Sequence, residues 1–137
     1  MDTRNTIYHI VTMDDLRACI KGNYYRPRTF EQDGFIHCTG DESTSLLVLE
    51  DYFAEAARRD AILIMGIDSL RLESDVRYEP PAPVRGAGTS HSQDGALFPH
   101  IYGHLNIDAI SGVGKVERVE GKFVWPSAFV AIENYLW

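Results

Sequence analysis

The chain has 137 residues, 45% of them hydrophobic and 11% aromatic, which suffices for one substantial core and argues against a wholly disordered segment. Twenty Asp and Glu against thirteen Lys and Arg give a formal charge of -7, which disfavours indiscriminate attraction to nucleic acid or an anionic membrane while leaving room for a local positive pocket. Two cysteines, no basic-apolar leader and no apolar run near ~18 residues predict a single cytoplasmic domain, 1–137, without a membrane span.

Ile7 through Val11 reads as a first strand, Thr12 as a cap, and Met13 to Leu16 as the first turn of a helix. Leu16, Cys19 and Ile20 keep helical spacing, and Gly22 offers a stop. Asn23 through Gln32, with Pro27, reads as a polar connection. Gly34 to Cys38 is the next strand, and its two-residue period puts Phe35 and His37 on one side and Ile36 and Cys38 on the other. From Asp41 to Arg59, the spacing of Leu46, Leu49, Phe53 and Ala56 predicts an amphipathic helix, capped by Asp41 and finished by Arg58 and Arg59.

Ala61 to Met65 is too short for a span and fits a buried strand ended by Gly66. Val76 to Glu79 is a further strand, broken by Pro80 and Pro81. Pro80 to Gly95 concentrates Pro, Gly, Ser and Thr and predicts an exposed loop, either a plain connection or a flap over a ligand. Leu97 to Tyr102 resumes extended structure, and Asn106 to Ile110 reads as a turn or short helix. Val113 to Val119 and Phe123 to Trp125 read as strands around Gly121, with a packed segment from Phe129 to Ile132. No internal repeat is present, and the order predicts a mixed α+β domain.

Three strings carry the functional signal: Tyr8-His9-Ile10, Gly34-Phe35-Ile36-His37-Cys38 and Leu97-Phe98-Pro99-His100-Ile101-Tyr102-Gly103. Each places an imidazole in a strand beside apolar or aromatic residues, so the three can meet at one cleft. His9 is read as a ribose or phosphate contact or as a structural histidine, and His37 as an acid/base or substrate-orienting group or as structural. Cys38 faces away from His37 and is read as core rather than nucleophile. His100 and Tyr102 share strand parity and can line one wall. Glu79, at a strand edge, is the preferred carboxylate for developing positive charge or for proton acceptance. Arg28 beside Arg26 is the nearest basic group for a phosphate-bearing ligand.

A second option is a divalent metal on His9, His37 and His100 with Glu79, although no compact spacing fixes those ligands. There is no Walker phosphate loop, serine nucleophile elbow, paired-cysteine redox motif or dinucleotide glycine fingerprint.

Taken together, these strings with Ile62-Leu63-Ile64, Val76-Arg77-Tyr78-Glu79 and Thr39 resemble the small bacterial DUF952 family from about Ile7 to Phe123. Two departures stand out: Thr39 where the family commonly has serine, and His104 where proline is common. The resemblance implies an ADP-ribosyltransferase-like α+β fold, two small curved sheets with flanking helices around a cleft that holds NAD in related superfamilies. By that resemblance His9 contacts the ribose, Glu79 supports transfer, and Tyr102, Tyr24 and Tyr25 offer aromatic contact. Thr39 and Arg28 join the cofactor-binding set, and His37 and His100 join Glu79 as catalytic groups. The implied activity is transfer of ADP-ribose to an unidentified acceptor or cleavage of the nicotinamide-ribose bond. A non-enzymatic nucleotide-binding module and a histidine-rich metal hydrolase are the alternatives.

Overall fold

A central strand covered on both faces organises the chain, and the apolar run around Ile62 to Met65 is its sequence cause. A computed structural model describes residues 4–81 and 97–136. In chain order the first half holds β1 (Thr6–Thr12), α1 (Met13–Cys19), β2 (Ile20–Lys21), β3 (Tyr24–Tyr25), α2 (Phe30–Asp33), β4 (Ile36–His37) and α3 (Glu42–Tyr52). The second half holds β5 (Ile62–Asp68), β6 (Asp75–Glu79), β7 (Phe98–Tyr102), β8 (Leu105–Asn106), β9 (Ile110–Lys115), β10 (Glu117–Val119) and β11 (Lys122–Val124), with short 3-10 turns between and after them.

β5 pairs antiparallel with β1 on one side and β9 on the other. One face of this sheet, carrying Ile7, Val11, Leu63, Met65, Ile67 and Val113, packs on Leu16 of α1 and on Tyr25, Ile36, Ile101 and Leu105. The opposite face, carrying Ile10, Ile62 and Ile64, packs on Leu49 of α3 and Phe123 of β11. Burial on both faces replaces polar alternation by a continuous apolar run.

The strand does not stop at Gly66 but runs on to Asp68, with a register shift between Gly66 and Ile67. A side chain at Gly66 would come within 3.3 Å of the Ser111 hydroxyl, so glycine here permits close pairing rather than ending the strand.

Other expectations change at the ends of elements. Thr12 caps α1 by accepting from the Asp15 amide, and Asp41 caps α3 by accepting from the Thr44 amide. α3 ends at Tyr52, however, and Arg58 and Arg59 lie beyond it, where both pair with Glu55. The polar connection after Gly22 holds a small hairpin, since Gly22 adopts φ of 59° and turns β2 back onto β3. The loop expected at Pro80 to Gly95 lies outside the described residues from position 82 onward.

The two curved sheets of an ADP-ribosyltransferase-like fold are not what forms. Four small open sheets with flanking helices take their place among the described residues: β1-β5-β9, β2-β3-β8, β4-β7-β6 and the β10-β11 ribbon. Strand length gives the physical reason. β2, β3, β4 and β8 have two residues each, too few to extend a ladder from one sheet into the next. The first and third sheets are joined instead by a single bridge, in which Tyr8 and Thr39 exchange backbone hydrogen bonds of 2.9 and 2.8 Å. No helix among the described residues is long and apolar enough to cross a membrane.

The end of the chain is locked across β9, where Val113 and Val130 exchange backbone hydrogen bonds of 2.7 and 2.9 Å. A Cβ on Gly114 would sit 2.6 Å from Cβ of Pro126 and 3.1 Å from the Ala128 carbonyl oxygen. Gly114→Ala is therefore expected to cost about 1–3 kcal/mol through overpacking against a stiff ring and backbone. Equilibrium urea unfolding checks it: an unchanged midpoint would show that the segment 126–130 is not held tightly.

Candidate functional site

Strand parity builds the site on one face of the β4-β7-β6 sheet. Ile36 and Ile101, paired across β4 and β7, point into the core and are fully buried. Their neighbours point the other way, so His37 and His100 form a direct cross-strand pair with ring centroids 5.7 Å apart. Phe35 stacks on His100 at 4.0 Å with an interplanar angle of 20°, and its ring also lies 4.7 Å from His37 and 5.4 Å from Tyr102. Only 3% of the His100 side chain is exposed.

Each imidazole is oriented by a carboxylate. His100 Nδ1 lies 2.8 Å from Glu79 Oε1, and the Tyr102 hydroxyl donates to the same oxygen at 2.5 Å. The Tyr102 and His100 hydrogen bonds hold the Glu79 carboxyl below its usual range, while the same bond raises the Tyr102 phenol. An ionised Glu79 only accepts, so His100 donates through Nδ1–H and keeps Nε2 as its lone pair. Burial lowers the His100 pKa, an effect the Glu79 hydrogen bond partly reverses and the nearby His37 reinforces. Arg77 stacks over the Tyr102 ring at 4.4 Å and adds a positive charge near Glu79.

His37 repeats the arrangement with its other nitrogen. Its Nε2 lies 2.8 Å from Asp33 Oδ2 at the end of α2, where Gly34, at φ of 82°, turns the chain into β4. With Nε2–H given to the carboxylate, the neutral ring has Nδ1 as its acceptor.

His9 is built differently. Its Nδ1 is 2.7 Å from the His37 carbonyl oxygen and its Nε2 is 2.8 Å from the Tyr25 hydroxyl. Burial, opposed by the His37 carbonyl bond and aided by the His37 ring, takes its pKa down to about 4. The neutral ring must donate from Nδ1, because a carbonyl only accepts; Nε2 then accepts from Tyr25. Both nitrogens are engaged inside the protein. The Tyr25 phenol is pushed up by burial, as is the Cys38 thiol.

A cleft of about 640 Å³ opens over these groups. Of the residues singled out from sequence, His9, Tyr25, Arg28, His37, Thr39 and His100 line it, together with Asp33, which sequence reasoning missed. Glu79 and Tyr102 are not in the lining and act on it through His100. Tyr24 lies elsewhere: its ring packs on His104 at 4.1 Å and borders a separate hollow of about 510 Å³. Arg28 sits at the rim, its Nε bonded to Asp15 at 2.9 Å. Among the described residues no group of three or more His, Cys, Asp and Glu side chains is disposed to hold a metal ion.

A family model described as "Protein of unknown function (DUF952)" matches residues 10–113. The chain belongs to the DUF952 family. Its fold is similar to the crystal structure of protein CC0527 from Caulobacter crescentus, with a TM-score of 0.56 and 18% identity over 96% of this chain and 97% of that one. A double mutant of CC0527 gives 0.55 with the same identity and coverage. At that identity the likeness speaks for the fold alone. No curated protein matches.

Membership in DUF952 does not carry the ADP-ribosyltransferase-like and NAD-binding descriptions with it, because both leaned on two curved sheets around a cleft, in whose place four small open sheets form. His9, Glu79 and Tyr102, the set implied for nicotinamide and ribose, do not converge: His9 spends both nitrogens internally, and Glu79 and Tyr102 bond to each other behind His100. Asp33 had a weak signal, an Asp-Gly turn four residues before His37, and Ser45, which bonds Thr39, had none.

The buried neutral His9 makes stability depend on pH. Its folded pKa of about 4 lies below the free value of 6.5, so the unfolded chain binds more protons between them. Stability is full above about pH 6.5 and falls as pH drops towards 4, by about 3 kcal/mol from this residue alone. Urea midpoints measured across that window should fall in the wild type and fall less steeply in His9→Gln, since the carboxylates contribute equally to both. Parallel slopes would refute the assignment.

Proposed function

We propose that the cleft is a general acid–base site for hydrolysis or group transfer on a small ligand. The observation that carries this reading is the pair of carboxylate-oriented imidazoles, His100 with Glu79 and His37 with Asp33, set side by side on paired strands in the cleft. His100 Nε2 takes a proton from water or an acceptor hydroxyl while that oxygen bonds to the electrophilic centre. As the bond to the leaving group breaks, protonated His37 gives it the Nδ1 proton, and Asp33 supports the positive charge His37 carried. Glu79 fixes the His100 tautomer and stabilises the imidazolium formed.

Neither Cys38 nor Thr39, a thiol and a hydroxyl of the described lining beside the imidazoles, is set up as a nucleophile, which favours attack by water or an acceptor. Cys38 is buried with its thiol pushed up, unlike a reactive thiolate. Thr39 lies within a hydroxyl chain: Ser45 donates to the Asp41 carbonyl at 2.7 Å, which leaves Thr39 to donate to Ser45 at 2.6 Å in preference to the longer 3.5 Å contact with the Tyr8 carbonyl. Its proton is directed into the protein, and the lining holds no base bonded to its oxygen.

Neutral nitrophenyl esters are the probes that test this. The wild type should hydrolyse some of them faster than free imidazole, with a loss of about 10²–10⁴-fold in His100→Ala and none in His104→Ala, whose ring packs on Tyr24 outside the cleft. Activity equal to free imidazole, or kept in His100→Ala, defeats the proposal. Nicotinamide release from NAD that is lost in Glu79→Gln would replace it with nicotinamide-ribose cleavage.

The acid limb of the rate profile adds a signed expectation. The base form of His100 is neutral, so rate rises as pH rises through its lowered pKa. Glu79 is what holds that pKa up against burial. Glu79→Gln should therefore move the limb to lower pH as well as slow the reaction, and a limb moved to higher pH would contradict the dyad.

A further inference from the structure

The hydrogen-bond polarity of the cleft floor identifies the ligand by its own chemistry, on the premise that the acid–base cleft is a ligand site. We propose that the ligand presents a cationic nitrogen donor, an ammonium or amidinium, on an apolar body, and that Asp33 and Thr39 receive its N–H groups, leaving His100 Nε2 to the attacking oxygen. Following each proton in turn leads there. The Ser45 hydroxyl donates to the Asp41 carbonyl oxygen 2.7 Å away, because the other route, Ser45 to Thr39 to the Tyr8 carbonyl, ends in a long 3.5 Å contact. The 2.6 Å contact between Ser45 and Thr39 must then be donated by Thr39, which turns the buried Thr39 Oγ1 into an acceptor towards any ligand. His100 gives Nδ1–H to Glu79 and keeps the Nε2 lone pair. Asp33 uses Oδ2 for His37 and has a second carboxylate oxygen. Tyr25 gives its proton to His9, so its oxygen too is left as an acceptor.

Charge points the same way. The ionised side chains among the described lining residues are Asp15, Arg28 and Asp33, apart from the histidines. Arg28 and Asp15 neutralise each other at 2.9 Å, and Asp33 remains as the carboxylate beside the imidazoles, uncompensated when His37 is neutral. On the floor a carboxylate or phosphate would meet lone pairs and the Asp33 charge, and its cationic partner at the rim, Arg28, is already paired with Asp15, whereas a cationic nitrogen replaces its water by acceptors. Apart from Thr12, Thr29 and Gln32, the remainder of the described wall is apolar or aromatic, with Tyr8, Val48, Phe53 and Phe98 able to cover a hydrocarbon or ring.

Binding of simple probes to the full chain tests this without any need for turnover. Benzylamine and benzamidine should bind, observed by calorimetry or by shifts of the His37 and His100 ring protons, and benzoate of matching size should bind at least about 10-fold more weakly, the scale of one charged hydrogen bond. Thr39→Val, which keeps the shape but removes the oxygen, should weaken benzylamine by roughly 10-fold; Asp33→Asn gives a second loss should Thr39→Val unfold. Equal or tighter binding of benzoate, no binding of either amine at millimolar concentration, or unchanged amine affinity in both folded variants would overturn the inference. Amine preference without ester hydrolysis would support it while sinking the catalytic reading. His100-dependent hydrolysis with a preference for benzoate would overturn it and leave that reading in place.

Discussion

The structure depends on one buried ring. His9 leaves β1 and reaches two other sheets at once, donating to the His37 carbonyl on β4 and accepting from Tyr25 on β3. The two-residue strands it meets have little pairing of their own, and a strand that short contributes few ladder bonds. A side chain with one donor and one acceptor at fixed angles does what longer ladders do elsewhere, together with the Tyr8–Thr39 bridge one residue away. The cost is protonation: a charged His9 would have two donors, one of them facing a hydroxyl that must turn round, in a place with almost no water.

This anchor also sets the site. The His37 carbonyl that accepts from His9 belongs to the residue whose ring faces His100, so holding that peptide fixes the origin of the His37 side chain. Asp33 then fixes the ring, and Phe35 fills the space between His37, His100 and Tyr102. Two opposing influences meet at His100. Burial favours the neutral ring and Glu79 favours the charged one, which leaves a base that is unprotonated near neutrality yet can hold a proton briefly. Few side chains are free to adjust in such a packed group, which suits a preorganised site.

How much of this was legible follows from what is local. The parity of Phe35 with His37 and of Ile36 with Cys38 was readable, because alternation is a property of one strand. The caps at Thr12 and Asp41 were readable for the same reason. The cross-strand pair of His37 and His100 was not, since register between segments more than sixty residues apart depends on the whole fold. Three histidines pointed to a cleft, but their different uses rest on partners that only tertiary structure supplies: a carbonyl and a phenol for His9, Asp33 for His37, Glu79 for His100. The sheet arrangement escaped sequence reasoning because two-residue strands carry almost no periodic signal, and the expected pair of curved sheets came from resemblance rather than from pattern.

The same chemical group thus serves two ends, and environment decides which. His9 and His100 are both nearly buried, and burial depresses both. The difference lies in the acceptor opposite Nδ1. A neutral carbonyl gives His9 little reason to charge, so burial wins and the ring stays a fixed structural link. An anionic carboxylate opposes burial at His100 and keeps proton uptake within reach, which is what a base requires. Tyr102 tempers this by sharing the same Glu79 oxygen: its hydrogen bond stabilises the carboxylate and disperses the charge His100 would otherwise feel alone. The strength of the base is therefore set against burial from the neighbouring strand β6, by Glu79, a side chain that does not line the cleft.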